Sequence, residues 1–532
     1  MITNNETPES RTKQDLDSGT SAIWITAVIL IGFILRVIAW TNSANLDPDS
    51  PLYIQQAKAI YLHQWHLLTN CGLSYIASYP IFIALLYHII PNWEVCARLI
   101  SLFFGTALLI PLYLLLKCFL DRNLSALTTL IFAVLPLFVG RSVDVLKDPT
   151  CWFFLVLGLY FFVARMNQEN RLFLLLSSLS FLMASWARIE SVLFIAVSLL
   201  YLLYSERKFK NLLIFAAPIL LFTLAGYVAA LFTDFPINNL LRGSEIIDRI
   251  SIVSSQYQNL RNELKLLADS QQNEWMNFFI YSARTNIWLI ALGILLNRLL
   301  EASFHIFFII LLIGLGDIKN KVEKDKRLIY FLALALSSLF LLYIHIIQTW
   351  IMDNRFMAIF LFPCAVFIAY GLKKVMEWLQ KFFSHKPSIV LFIIAFFIIF
   401  STLPKNLEQR EHDKAVFKEI GEVIAKREGN QNTISISASP TTQRWVSFYA
   451  NYHSEAVFCP QPTEENCWKY FLNDPHSFYQ TLKKKNIKYF LWTQRQWPKE
   501  IDLFKMPYYQ NLQELGRWNH PDTGWMILFK VK

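Results

Sequence analysis

Long apolar blocks alternate with short polar connections along most of this chain. A helix of about 20 apolar residues crosses the hydrocarbon core of a bilayer. On that measure, crossings fall near 22–41, 96–117, 123–141, 150–165, 172–187, 190–204, 211–232, 298–316, 328–349, 356–372 and 387–403. The block at 22–41 is too long for a signal-peptide core, and no small-residue cleavage site follows it. Residues 1–21 are polar, lack apolar periodicity and read as a disordered cytoplasmic tail. The segment 275–316 is largely apolar but carries Arg298 and Glu301. It reads as a helix lying at the membrane interface, followed by one crossing.

Three stretches break the pattern. Residues 42–95 form a long first loop. Residues 233–297 form a second, with apolar positions Ile246, Ile247, Ile250, Val253, Leu260, Leu264 and Leu267 spaced as on an interfacial amphipathic helix. In 404–532, "NTISISAS", "IKYFLWTQ" and "GWMILFKVK" read as strands and "HDKAVFKEIGEVIAKR" as a helix. The expected fold is therefore mainly α: a polytopic transmembrane bundle of about eleven spans over 22–403, with a soluble α/β domain at 404–532. No internal repeat is visible.

Composition agrees. Of 532 residues, 55% are hydrophobic and only 17% charged, against about 25% charged in a soluble domain. The formal charge of +10 sits in alternate connections: Arg11 and Lys13; Lys117 and Arg122; Arg165 and Arg171; Arg207, Lys208 and Lys210; Lys319 to Arg327; Lys373 to Lys386. This is the positive-inside pattern of a multi-pass protein of the cell (inner) membrane. It places the N-terminus in the cytoplasm, and both long loops and the C-terminal domain on the periplasmic or extracytoplasmic side. No basic array or nucleic-acid motif is present. Cys459 and Cys467 lie in the outer domain, where a disulfide is permitted but its geometry is not fixed by sequence. Cys118, Cys151 and Cys364 read as packing residues.

The remaining polar residues gather at one depth. "NSANLDPDSPLY" puts Asp47 and Asp49 just past the first span. "GRSVDVLKDPT" supplies Arg141, Asp144, Lys147 and Asp148, "SWARIES" supplies Arg188 and Glu190, and "WIMDNRF" supplies Asp353 and Arg355. Any one of these turns is explained by solvation alone. Four on one side are harder to dismiss, since ionisable groups at membrane depth are costly unless paired or facing a wet cavity. Mixed charge suits a general base with arginines that hold a phosphate leaving group. A multi-pass transporter or flippase is the alternative reading. It is disfavoured because transporters place their sites near the midplane, often between repeated halves.

The order of these motifs resembles the GT-C superfamily of polyprenyl-phosphate-sugar-dependent glycosyltransferases. Protein O-mannosyltransferases and the lipid A aminoarabinose transferase are similar in pattern. "PDSPLYIQQAKAI", "SYPIFIALLYHI", "KDPTCWFFLVLGLYFF", "ASWARIESVLF" and "NRFMAIFLFPCAVFIAYGL" carry the resemblance. It implies an inverting transfer of a hexose or pentose from a polyprenyl-phosphate donor to a lipid, glycan or protein acceptor. It implies Asp49 as catalytic base, Asp148 as a second catalytic or acceptor-orienting carboxylate, and Arg188 and Arg355 at the donor phosphate. Arg141 and Lys147 are further phosphate candidates. Asp47, Tyr53, Tyr79 and Glu190 are substrate-binding candidates. Asp47 and Asp49 form a D-x-D, which in some relatives serves a divalent metal (Mg2+ or Mn2+); others need none. Ser50 replaces a second acid found in some relatives, and Tyr79 replaces a lysine before the proline of the loop exit.

Overall fold

The computed structural model describes residues 8–44, 46–69, 73–205, 209–232, 243–382, 387–429, 433–454, 456–457, 477–497, 499 and 502–532. These form two compact units. The first comprises 1–38, 101–143 and 147–407; the second comprises 39–100, 144–146 and 408–532. This departs from the division expected above, because the first loop belongs with the C-terminal segment rather than with the spans.

The first unit is a helical bundle. Among the described residues, seven helices are long and apolar enough to cross a membrane: Ile23–Thr41, Trp93–Lys117, Asp148–Gln168, Phe209–Val228, Arg327–Thr349, Asn354–Phe382 and Ser388–Leu407. Four shorter apolar helices among the described residues, Arg122–Val134, Arg171–Ala187, Ile189–Ser205 and Ile306–Leu315, accompany them. The chain is thus a multi-pass membrane protein. The first helix, α1 (Pro8–Thr41), starts inside the stretch expected to be a disordered tail. Pro8 suits a first helical position because its missing N–H would have no partner there.

Two expected spans are broken. The stretch 123–141 divides into Arg122–Val134 and Pro136–Arg141. Pro136 offers no N–H and forces Leu135 into an extended conformation. The span expected at 298–316 is likewise two pieces. Glu274–Thr285 bends by 77° into Ile287–Ala302, and Ile306–Leu315 follows after Phe304 and His305 take positive φ. Arg298 and Glu301 pair with each other at 2.8 Å on the exposed side of that bend. The amphipathic helix of the second loop is present as Gly243–Asp269; the side chains of Ile246, Ile247 and Ile250 lie outside the described residues.

Close packing inside the bundle depends on small residues, as it must where lipid gives helices no hydrophobic reason to associate. A Cβ on Gly314 would lie 1.8 Å from Phe367 O, and one on Gly371 would lie 1.9 Å from Ile310 O. The two backbones therefore touch. Hydrogen bonds tie some buried polar groups to neighbouring helices: Arg36 Nη1 donates to Gly32 O at 2.8 Å and Ala133 O at 3.0 Å, and the Ser198 and Tyr330 hydroxyls bond at 2.7 Å.

The second unit is α/β. Strands β1 (Ile436–Ser437), β2 (Tyr489–Thr493), β3 (Leu512–His520) and β4 (Gly524–Val531) form one sheet in the order β1-β2-β4-β3. Only β1 and β2 run parallel. Helix Ala415–Glu428 packs with Pro440–Ala450 and with the helices of the first loop, Ser50–Tyr61 and Ser78–Tyr87, around one core. Tyr53, Ile54, Ala57, Tyr79 and Ile83 share this core with Ile420, Ile424, Leu491 and Leu528. Buried Gln56 pins the loop between them by donating to Leu68 O and Tyr75 O and accepting from Ala77 N–H. Cys459 and Cys467 lie outside the described residues. Cys96, Cys118, Cys151 and Cys364 are free thiols.

Candidate functional site

In the first unit, three turns deliver charge to one place. Helix Asp148–Gln168 opens on an Asp-Pro pair, with the acid in its first turn and Pro149 at the start. Helix Arg171–Ala187 ends at Arg188, whose backbone is extended, and a 3-10 turn Ile189–Ser191 carries Glu190 onward. Asp353 caps a third short turn by accepting the Arg355 N–H at 3.0 Å.

Their side chains interlock. Arg188 Nη1 donates to Asp148 Oδ1, its Nε lies 3.4 Å from Glu190 Oε2, and its Cζ sits 4.3 Å from the centre of the Phe356 ring. Arg141 Nη2 bridges both oxygens of Asp353 at 3.1 and 2.9 Å, and Arg355 Nε lies 3.6 Å from Asp353 Oδ2. Arg188, Arg355, Lys147 and Arg141 all act electrostatically on Asp148. Four cations (Arg141, Lys147, Arg188, Arg355) face three acids (Asp148, Glu190, Asp353), so the formal balance is +1. Such a group holds itself together and retains affinity for an anion.

Asp148 is enclosed by this geometry. It is 1% exposed and engaged by the Arg188 guanidinium. It holds Arg188 in place. Glu190 acts on the same guanidinium. The Cys151 thiol, 3.1 Å from the Ser191 hydroxyl, ties the helix start to the Arg188 turn.

In the second unit, Asp47 Oδ1 accepts the Asp49 N–H at 3.0 Å, and Asp47 O accepts the Ser50 N–H at 2.9 Å. Asp47 is the acceptor of a turn that aims Asp49. Asp49 stands at the N-terminus of helix Ser50–Tyr61 without capping it. Its side chain is 35% exposed, and Arg444 Nη1 lies 3.7 Å away. Asp144 forms a two-pronged pair with Arg410 at 3.2 and 3.0 Å. Tyr53 and Tyr79 lie in the core of this unit. They meet edge to face, 5.8 Å between ring centres. Tyr79 is fully buried and its hydroxyl donates to Ala97 O at 2.8 Å, so both tyrosines pack the core.

Sequence reasoning missed Arg410 and Arg444. Arg410 carried a signal: it is a basic residue just past the last span, on the side where the charge pattern puts few. Arg444 carried none, being one basic residue on an ordinary amphipathic helix.

Among the described residues, one group could converge on a metal ion: Asp413, His520 and Asp522. Its histidine does not fit that role as placed. Nδ1 accepts the Asp522 N–H at 3.1 Å, which leaves Nε2 with the proton of the neutral ring, 3.2 Å from Asp413 Oδ2. Neither Asp47 nor Asp49 belongs to this group.

Residues 78–230 match the dolichyl-phosphate-mannose-protein mannosyltransferase family. No curated protein matches the chain. Among solved structures, the oligosaccharyltransferase of Archaeoglobus fulgidus tethered to an acceptor peptide is similar, with TM-score 0.56 and 12% identity over 95% of this chain and 74% of that one. ArnT of Cupriavidus metallidurans bound to undecaprenyl phosphate has TM-score 0.56 and 10% identity over 96% of this chain and 98% of that one. The resemblance read from the sequence is thereby borne out: the chain has the GT-C fold of these membrane glycosyltransferases.

Proposed function

We propose that this chain transfers a sugar from a polyprenyl-phosphate donor, undecaprenyl or dolichyl, to a lipid, glycan or protein acceptor on the extracytoplasmic face. The observation that carries this reading is the cationic cluster of Arg141, Lys147, Arg188 and Arg355, three of whose members are preset by carboxylates. Preorganised cations stabilise charge as it develops on a leaving phosphate. The alternation of basic connections supports the face, and the undecaprenyl phosphate on ArnT supports the donor.

Asp49 is the base in this reading. It is a partly exposed carboxylate of the first loop, whereas Asp47 Oδ1 accepts within the turn, Glu94 pairs with Arg98 and Asp148 with Arg188. The acceptor O–H or N–H gives its proton to Asp49 as its lone pair attacks the anomeric carbon. A new bond forms there, the anomeric carbon–phosphate oxygen bond breaks, and its electron pair leaves on the polyprenyl phosphate. One displacement inverts the anomeric centre. Water then takes the proton from Asp49.

The test is turnover by the purified protein with polyprenyl-phosphate sugars. Asp49→Asn is expected to lower kcat by about 10²- to 10⁴-fold, the usual contribution of a general base, with the thermal midpoint unchanged. Full turnover by Asp49→Asn would sink the assignment.

A further inference from the structure

Lys58 lies on the helix that starts at Asp49, yet no role above uses it. Its side chain is almost wholly enclosed, at 3% exposure. An ammonium has three N–H donors. One goes to Tyr452 O at 2.9 Å. The Nζ also sits 6.0 Å from the Trp93 ring centre and 5.8 Å from that of Tyr452. No carboxylate pairs with it among the described residues. Burying a cation without a counter-ion is costly, and here burial pushes the Lys58 ammonium down to about 8.

The enclosure is not solid. Lys58 lines a cavity of about 500 Å³ with Tyr61, Tyr87, Trp93, Asn92, Tyr452 and His453. Asn92, Tyr452 and His453 are shared with a second cavity of about 490 Å³, whose walls add Arg98, Lys418 and Lys426 together with Glu94 and Glu422. The aromatic wall is prearranged: Tyr87 and Trp93 stack at 3.6 Å and 7°, and Tyr61 stands edge-on to both. The Tyr452 hydroxyl is fixed by donating to Asn92 Oδ1 and accepting the Glu94 N–H.

We infer that this cavity of the second unit binds an acidic sugar, with Lys58 taking its carboxylate or phosphate and the tyrosine–tryptophan wall taking its ring. A buried cation with spare donors recognises an anion. Flat aromatic faces pack the apolar face of a ring, and Asn92 and His453 offer polar groups at the mouth. The inference rests on the sugar-transfer reading in one respect: it names an anionic glycan as the class of acceptor.

The experiment is a binding titration that needs no turnover. Purified full-length protein in detergent is titrated with glucuronate, glucose 6-phosphate, inorganic phosphate and glucose, read by tryptophan fluorescence and by thermal midpoint. The acidic sugars are expected to bind more tightly than either phosphate or glucose. Lys58→Met should weaken them about ten- to hundred-fold, the worth of hydrogen bonds to a charged group. The same variant should raise the midpoint of the ligand-free protein, because it removes the unpaired cation and keeps the apolar stem. Asn92→Asp retains the acceptor oxygen used by Tyr452 and Val95 but adds a negative charge at the mouth. It should also weaken acidic sugars and spare glucose. Equal binding by wild type and Lys58→Met, or equal binding of inorganic phosphate and the acidic sugars, overturns the inference. Arg188→Ala, expected to lose donor turnover, should bind acidic sugars normally. A failure of the transfer reading therefore shows in turnover, and a failure of this one in the titration.

Discussion

Arg188 and Asp148 form a buried ion pair that joins the end of one helix to the start of another, 40 positions back in the chain. The far side of the guanidinium is closed by Glu190 and the Phe356 ring. Its direction is thus set before any ligand arrives. Removing the acid strands a buried cation, and such losses cost about 3–5 kcal/mol. Asp148→Ala is accordingly expected to lower the thermal midpoint strongly and to weaken binding of undecaprenyl phosphate. Arg188→Lys should not rescue donor binding, because an ammonium cannot serve Asp148, Glu190 and a phosphate with one planar fork. Midpoints and lipid-phosphate titrations on the two variants check both statements.

The pair between Asp49 and Arg444 should behave differently. Both side chains are over a third exposed and 3.7 Å apart, and exposed pairs contribute about 0–1 kcal/mol. Arg444→Ala is expected to leave stability within about 1 kcal/mol of wild type. If Arg444 positions the Asp49 carboxylate, kcat falls while the KM for donor stays put. An unchanged kcat would make the contact incidental.

Much of this was legible in the sequence, for reasons that differ by element. The apolar blocks announced the bundle because lipid demands continuous helices. Short apolar runs rich in aromatic and branched residues exposed β2 and β4, which are buried along most of their length. Strand β3 was missed because "LQELGRWNH" is buried only at its two ends and shows no apolar alternation. The break at 303–305 was missed because neither Pro nor Gly marks it; Phe304 and His305 carry the positive φ themselves. The charged turns were legible as candidates because charge is costly at membrane depth. Their roles were not, because sequence does not say which carboxylate an arginine takes. Asp148 looked like Asp49 until its partner was seen. Tyr79 looked like a ligand-facing residue until its hydroxyl was found on Ala97 O.

The contact between Gly314 and Gly371 makes a packing prediction. Any side chain at either position would enter the opposing backbone by well over an ångström, and backbone cannot swing aside as a flexible side chain can. Overpacking in closely fitted interiors costs about 1–3 kcal/mol where neighbours yield. Gly371→Val is expected to exceed that range and to lower the yield of folded protein in detergent. Gly293, which has nothing within 4 Å of a built Cβ, is the matched control, and Gly293→Ala should be tolerated. Size-exclusion profiles of the two variants separate the outcomes.

Lys58 gives stability a defined pH dependence. Burial lowers its ammonium from 10.5 to about 8, so between those values the unfolded chain binds more protons than the folded one. Stability therefore rises with pH across that window, is fully present above 10.5 and is lost as pH falls through about 8. A shift of this size corresponds to about 3 kcal/mol. Wild type should gain stability between pH 8 and 10, whereas Lys58→Met should show a flatter profile and greater stability at pH 7. An acidic sugar supplies the missing counter-ion and favours the charged form, so its affinity should fall as pH climbs past 8. Denaturation midpoints at pH 7, 8.5 and 10, with and without glucuronate, test both slopes. Identical slopes for wild type and Lys58→Met would mean that Lys58 is not the titrating group.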